Sequence, residues 1–209
     1  MRTDAMRRAS LRAVSAALLL ACFFLSGAAG LVYEVVWVRV LTLTFGATVL
    51  GVSTVLTAFM GGLALGSFLF GRWIDRHPAA SPLRVYAALE AGVGLYCALT
   101  PLLFRLLERA YVGFAHAAEP GFATLTAVRF VLCTLALLPP TTLMGGTLPV
   151  LSRLFAANRA GLGQDVGILY STNTFGAVAG SFGAGFFLVP LLGVRGTIWL
   201  AAFLNLAIG

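Results

Sequence analysis

Ser26-Gly27-Ala28-Ala29-Gly30-Leu31-Val32-Tyr33-Glu34-Val35-Val36-Trp37-Val38-Arg39 closes the first long apolar run of the chain. It sets a carboxylate inside that run, after a tyrosine and before a tryptophan and an arginine. An ionisable group in a membrane span is costly, so it marks a functional hypothesis whose partner must come from elsewhere in the chain. The run reaches from Ala13 to Val38. A spanning helix needs about 20 apolar residues, so the run suits a crossing of the bilayer.

Working outward, composition gives the same class. Hydrophobic residues make up 60% of the 209, charged residues 10%, and the mean hydropathy is +0.97. Average soluble domains carry about 25% charged residues. This is the composition of an all-α integral membrane protein. The 14 basic residues, all arginine, outnumber 7 acids and give a net charge of +7. The arginines lie mostly at the ends of apolar runs, which is the pattern of membrane-flanking charge. No nucleic-acid motif accompanies them, so nucleic acid is not an expected partner and the lipid bilayer is. Cys22, Cys97 and Cys133 each sit inside an apolar run without metal-ligand spacing, and read as small core residues. No cofactor or metal is called for.

The apolar runs predict six helices after a basic tail at 1–12. The spans are 13–38, 47–70, 83–107, 125–151, 166–192 and 197–209, the sixth still apolar where the sequence stops. This is read as truncation inside the sixth helix. A basic start and the small residues Gly27-Ala28-Ala29 also fit a cleavable secretory signal, but the run continues beyond them. Rows of small residues at four-residue spacing predict close helix packing: Cys22, Ser26 and Gly30; Ala58, Gly62 and Gly66; Gly176, Gly180 and Ala184. Pro139-Pro140, Gly145-Gly146 and Pro149 predict a kink or break in the fourth span. The tail and the links 2–3 and 4–5 hold nine arginines against five on the other side, which predicts a cytoplasmic amino terminus.

Helical rise places the polar groups in depth. Glu90 lies about 10 Å in from the cytoplasmic end, Tyr170 about 8 Å, Asn173 about 12 Å, and Thr141 and Thr142 about 17 Å. These could line one pocket beside an interrupted fourth helix, the usual sequence pointer to a transport site. Glu34 falls near the outer interface, either as a functional carboxylate or as a cap paired with Arg39 or Arg129. Asn173 and its neighbouring threonines also fit interhelical hydrogen bonding. Tyr170, Trp37 and Trp73 fit an interfacial aromatic belt, and His77 and His116 read as solvated loop residues. No nucleophile–base pair, metal-ligand set or phosphate loop occurs, so this chain is not expected to be an enzyme.

Two sets of motifs resemble known families. Gly71-Arg72-Trp73-Ile74-Asp75-Arg76 resembles the loop between the second and third helices of the major facilitator superfamily, with His77-Pro78 where that motif has glycine. The carry-over makes Gly71, Asp75 and Arg76 gating-loop candidates. The opening stretch, Met144-Gly145-Gly146-Thr147-Leu148-Pro149 and Tyr170-Ser171-Thr172-Asn173-Thr174-Phe175-Gly176-Ala177-Val178-Ala179-Gly180 resemble the membrane region of bacterial spermidine synthase-like fusion proteins. That resemblance implies a six-helix half of a facilitator-like fold in the bacterial inner membrane. It also implies a fused or associated cytoplasmic aminopropyltransferase-like domain, whose glycine-rich loop and acidic pocket are not in this chain.

Two functions follow as expectations. In one, the module binds or moves a small organic cation such as a polyamine. Glu90 is the counter-charge, Asn173 and Tyr170 are lining, and Glu34 sits at the outer mouth. A half-barrel would need a second half or a homodimer to enclose a path. In the other, the helices are a non-transporting anchor or scaffold for the cytoplasmic domain.

Overall fold

The computed structural model of the chain describes residues 2–45, 49–155 and 162–209, with side chains for 15–43, 49–154 and 163–209. The side chains of Arg2, Arg7, Arg8, Arg12 and Arg159, which weigh in the orientation count, lie outside those described. Every regular element among the described residues is helical. The order is α1 (Arg2–Phe45), α2 (Val49–Arg76), α3 (Pro82–Ala118), α4 (Phe122–Phe155), α5 (Leu162–Gly183), a π-helical segment (Ala184–Leu188) and α6 (Val189–Ile208). Five stretches are long and apolar enough to cross a membrane: Ser15–Leu43, Val49–Arg76, Pro82–Ala118, Phe122–Leu154 and Gly163–Ile208. The architecture is compatible with a multi-pass helical membrane bundle.

The helices differ from the sequence expectation at their ends. The residues read as a polar tail and as the link 108–123 are largely helical, because α1 starts at Arg2 and α3 runs on to Ala118. The expected fifth and sixth spans form one long stretch that changes course at Gly193 (φ 68°, ψ 174°), a backbone region open essentially to glycine alone.

Contacts fix the directions. Phe24 faces Gly176 and Ala28 faces Gly180, so α1 and α5 run parallel. Phe23 meets Tyr86 and Trp37 meets Phe104, so α1 and α3 also run parallel. Gly94 faces Ala202 and Leu206, whereas Gly209 faces Ala87 and Ala91, so α6 runs antiparallel to α3. The chain therefore reverses at Gly193.

Glycine rows let the backbones touch. A Cβ on Gly176 or Gly180 would strike the carbonyls of Phe24 or Ala28, and one on Gly66 would strike the carbonyl of Thr142. The α2 and α5 rows thus pack against α4 and α1 as their spacing predicts. The α1 row does not. Gly30 has open space beside it, and the close approach is made by Gly27 against Asn173. The small residues of α1 lie on two faces, and Ser26 belongs to the other one.

α4 does not break. It is one helix from Phe122 to Phe155 despite three prolines. A proline withholds an N–H from the carbonyl four residues back. Pro140 frees the Ala136 carbonyl, and the Tyr96 hydroxyl donates to it at 2.9 Å. Pro101 in α3 frees the Cys97 carbonyl, and the Thr100 hydroxyl donates to it at 2.7 Å. Such replacement donors are what let proline stand inside helices in lipid.

Two apolar cores result. One groups Tyr33, Trp37, Phe59 and Phe104. The other groups Phe23, Ile74, Tyr86 and Leu151. Trp37 is fully buried in the first, stacked on Tyr33 at 5.4 Å, and is not an interfacial belt residue.

Candidate functional site

At the boundary between these cores α3 presents Glu90, with Tyr86 one turn before it and Val93 after it. Glu90 is 1% exposed. The Ser26 hydroxyl of α1 donates to its Oε1 at 2.5 Å. The Asn205 amide of α6 donates from Nδ2 to its Oε2 at 2.6 Å. Asn205 in turn accepts at Oδ1 from the Tyr33 hydroxyl at 2.9 Å. Three helices are thereby joined by one buried chain, Ser26–Glu90–Asn205–Tyr33. The Tyr86 hydroxyl adjoins the Glu90 carboxyl without making a close hydrogen bond.

The local sequence accounts for this geometry. Ser26 and Tyr33 are seven residues apart, two helical turns, and so share a face of α1. The parallel course of α1 and α3 sets Ser26 opposite Glu90. The reversal at Gly193 brings Asn205 back to the same level. Glu90 forms no ion pair among the described residues, and its partners there are neutral. A buried carboxyl without a basic neighbour is balanced by a proton or by a cation from outside. The arrangement is a connected set of donors and acceptors that fixes the carboxyl between three helices.

Glu34 is 8% exposed, and its Oε2 has no hydrogen-bond partner. Of the two alternatives, pairing with Arg39 or Arg129 is not seen among the described residues. α1 continues beyond Glu34 to Phe45, so the residue sits farther from the helix end than expected. Arg129 instead donates to the Tyr111 hydroxyl at 3.3 Å. Glu34 lies eight residues past Ser26, about 12 Å along α1.

The other expected lining residues do not converge on Glu90. Asn173 donates from Nδ2 to the Phe23 carbonyl at 3.1 Å, which ties α5 to α1. Tyr170 is 61% exposed on the bundle surface. Thr141 is buried against Gly62 and donates to the Leu137 carbonyl at 2.6 Å. The interrupted helix is at the π segment and Gly193, not in α4.

The gating-loop candidates are placed at the end of α2. Asp75 lies 3.7 Å from the Arg153 guanidinium of α4, and Arg153 also donates to the Ile74 carbonyl. A cation on the last carbonyls of a helix suits the sign of its dipole. Gly71 faces Pro149, and Arg76 is exposed as the last residue of α2. His77 is an exposed residue just past α2, as expected. Its ring stacks on Trp73 at 4.5 Å, and its Nδ1 lies 2.8 Å from the Trp73 carbonyl. His116 lies in the last turn of α3.

Sequence reasoning missed Ser26, Tyr33 and Asn205 as partners of Glu90. Asn205 carried the best signal, a lone amide in the apolar stretch after Gly196. No family model, no curated protein and no solved structure matches this chain.

Proposed function

We propose that this chain is a transporter-like membrane module that binds or moves a small organic cation, such as a polyamine, with Glu90 as the counter-charge. The observation that carries the reading is a carboxyl held by Ser26 and Asn205 in the bundle interior, with no basic side chain among the described residues paired to it. Glu34, the second buried carboxyl, lies about 12 Å along α1 from Ser26 and suits a ligand with more than one ammonium group. Asn173 and Tyr170 drop out as lining, because they serve the α1–α5 seam and the outer surface. The reversal at Gly193 supports a sixth crossing, as in half a facilitator, while the cytoplasmic amino terminus rests on the arginine count and the bacterial inner membrane on the motif resemblance. The motif resemblance adds a fused or associated cytoplasmic aminopropyltransferase-like domain to the proposal, and a second half or a homodimer to enclose a path.

The test is uptake into proteoliposomes by the full-length protein, with Glu90→Gln and Glu34→Gln. The expected result is polyamine uptake that Glu90→Gln abolishes and Glu34→Gln reduces. No uptake of any polyamine, or uptake untouched by both changes, removes the reading.

One observation favours a membrane anchor instead. Both Glu90 oxygens already have donors and the residue is closed off, as expected of a structural tie between helices. Under that reading uptake is absent, and both glutamine variants lose stability alone.

A further inference from the structure

α2 and α3 each pack closely on α4, and any contact between the two is slight. Between them lies an open groove of about 720 Å³, in the range of small-molecule sites. Its walls include Leu69 and Trp73 of α2 and Val85 and Ala88 of α3, and Leu143 of α4 forms its floor. The lining is almost wholly apolar until the end near the 2–3 link. There Arg84 and Ser81 stand at the mouth, beside the Trp73 ring stacked on His77. Arg84 is exposed and makes no ion pair among the described residues. Among the charged residues at the end of α2, Arg72 and Arg76 share its sign, and Asp75 lies 3.7 Å from Arg153. The groove lies on the face of α3 opposite to Glu90, so it is separate from the buried polar chain.

We propose that this groove binds an anionic phospholipid, one acyl chain lying between α2 and α3 and the headgroup phosphate meeting the Arg84 guanidinium. Charge and depth select the occupant. The apolar walls run about 7 Å from Arg84 to Leu89 along the helix axis, so chain and phosphate are engaged together. A guanidinium binds phosphate oxygens in a forked, bidentate geometry. A free phosphate would leave the apolar walls empty. A zwitterionic headgroup would bring its ammonium towards Arg76 and Arg84. Basic pockets between helices at a membrane surface recognise anionic headgroups in this way.

The test is native mass spectrometry of the full chain released from detergent. Phosphatidylglycerol and phosphatidylcholine with identical acyl chains compete for it. The expected result is about fivefold preferential retention of phosphatidylglycerol, the worth of one arginine at a membrane surface. Arg84→Gln abolishes the preference, Arg84→Lys keeps part of it, and Arg72→Gln leaves it in place. Ala88→Trp, which fills the groove, lowers retention of both lipids. Equal retention by the unaltered chain, or a preference that survives Arg84→Gln, overturns the proposal. So does full displacement of the lipid by soluble glycerol phosphate. The Arg84 pair decides even if Ala88→Trp fails to fold, because Arg84 is an exposed side chain.

Discussion

Asn205→Ala isolates the buried chain. The substitution removes two hydrogen bonds: the one accepted from Tyr33 at 2.9 Å and the one donated to Glu90 at 2.6 Å. A neutral buried bond contributes about 1 kcal/mol, and one to an ionised group about 1.5–3 kcal/mol. The expected destabilisation is therefore about 2–4 kcal/mol. Bonds between membrane helices average lower, about 0.6 kcal/mol each, so in a bilayer the loss of two falls to about 1 kcal/mol. The assay is equilibrium unfolding in mixed micelles, run as a cycle with Tyr33→Phe. Tyr33→Phe alone costs about 1 kcal/mol, and adding it to Asn205→Ala costs nothing more, because its acceptor is already gone. A double variant whose cost equals the sum of the two singles would show that Tyr33 and Asn205 are not coupled. The description of one continuous chain would then be wrong.

Other expectations use the same measurement. Gly180→Val forces a side chain onto the Ala28 carbonyl and costs about 1–3 kcal/mol, whereas Gly30→Ala, with open space beside it, stabilises by about 0.5–1 kcal/mol. Tyr96→Phe strips the donor from the Ala136 carbonyl freed by Pro140 and costs about 1–3 kcal/mol. Asp75→Asn, at a largely exposed ion pair, costs under about 1 kcal/mol and less still in high salt. Gly193→Ala places a Cβ at φ 68° and destabilises the reversal by about 1–3 kcal/mol.

The helical class and the placing of Glu90 inside an apolar helix were legible in the sequence, and less of what surrounds Glu90 was. Hydropathy and run length are local properties, so the long apolar helices could be read from them directly. The rows on α2 and α5 could be read too, because four-residue spacing puts small residues on one face whatever the partner. The row on α1 misled for the same reason. Cys22, Ser26 and Gly30 do share a face, but Ser26 on that face is a hydrogen-bond donor. Depth along a single helix could not show which neighbour stands beside it. Asn173 and Glu90 have similar depths, yet α5 turns its amide to the Phe23 carbonyl. The prolines of α4 pointed to a break because the donor for Ala136 lies on another helix, at Tyr96. Glu34 was placed at the surface by assuming that the span ends at Val38. A helix that runs on to Phe45 puts it inside.

The separation of Glu90 from its partners along the chain bears on how the protein is made. Ser26 precedes Glu90 by 64 residues, and Asn205 follows it by 115. Domains and helices emerge from the ribosome in chain order. Ser26 and Glu90 are therefore both made before the Asn205 donor to Oε2 exists. The arrival of Asn205 is then the step that completes the donors to the carboxyl.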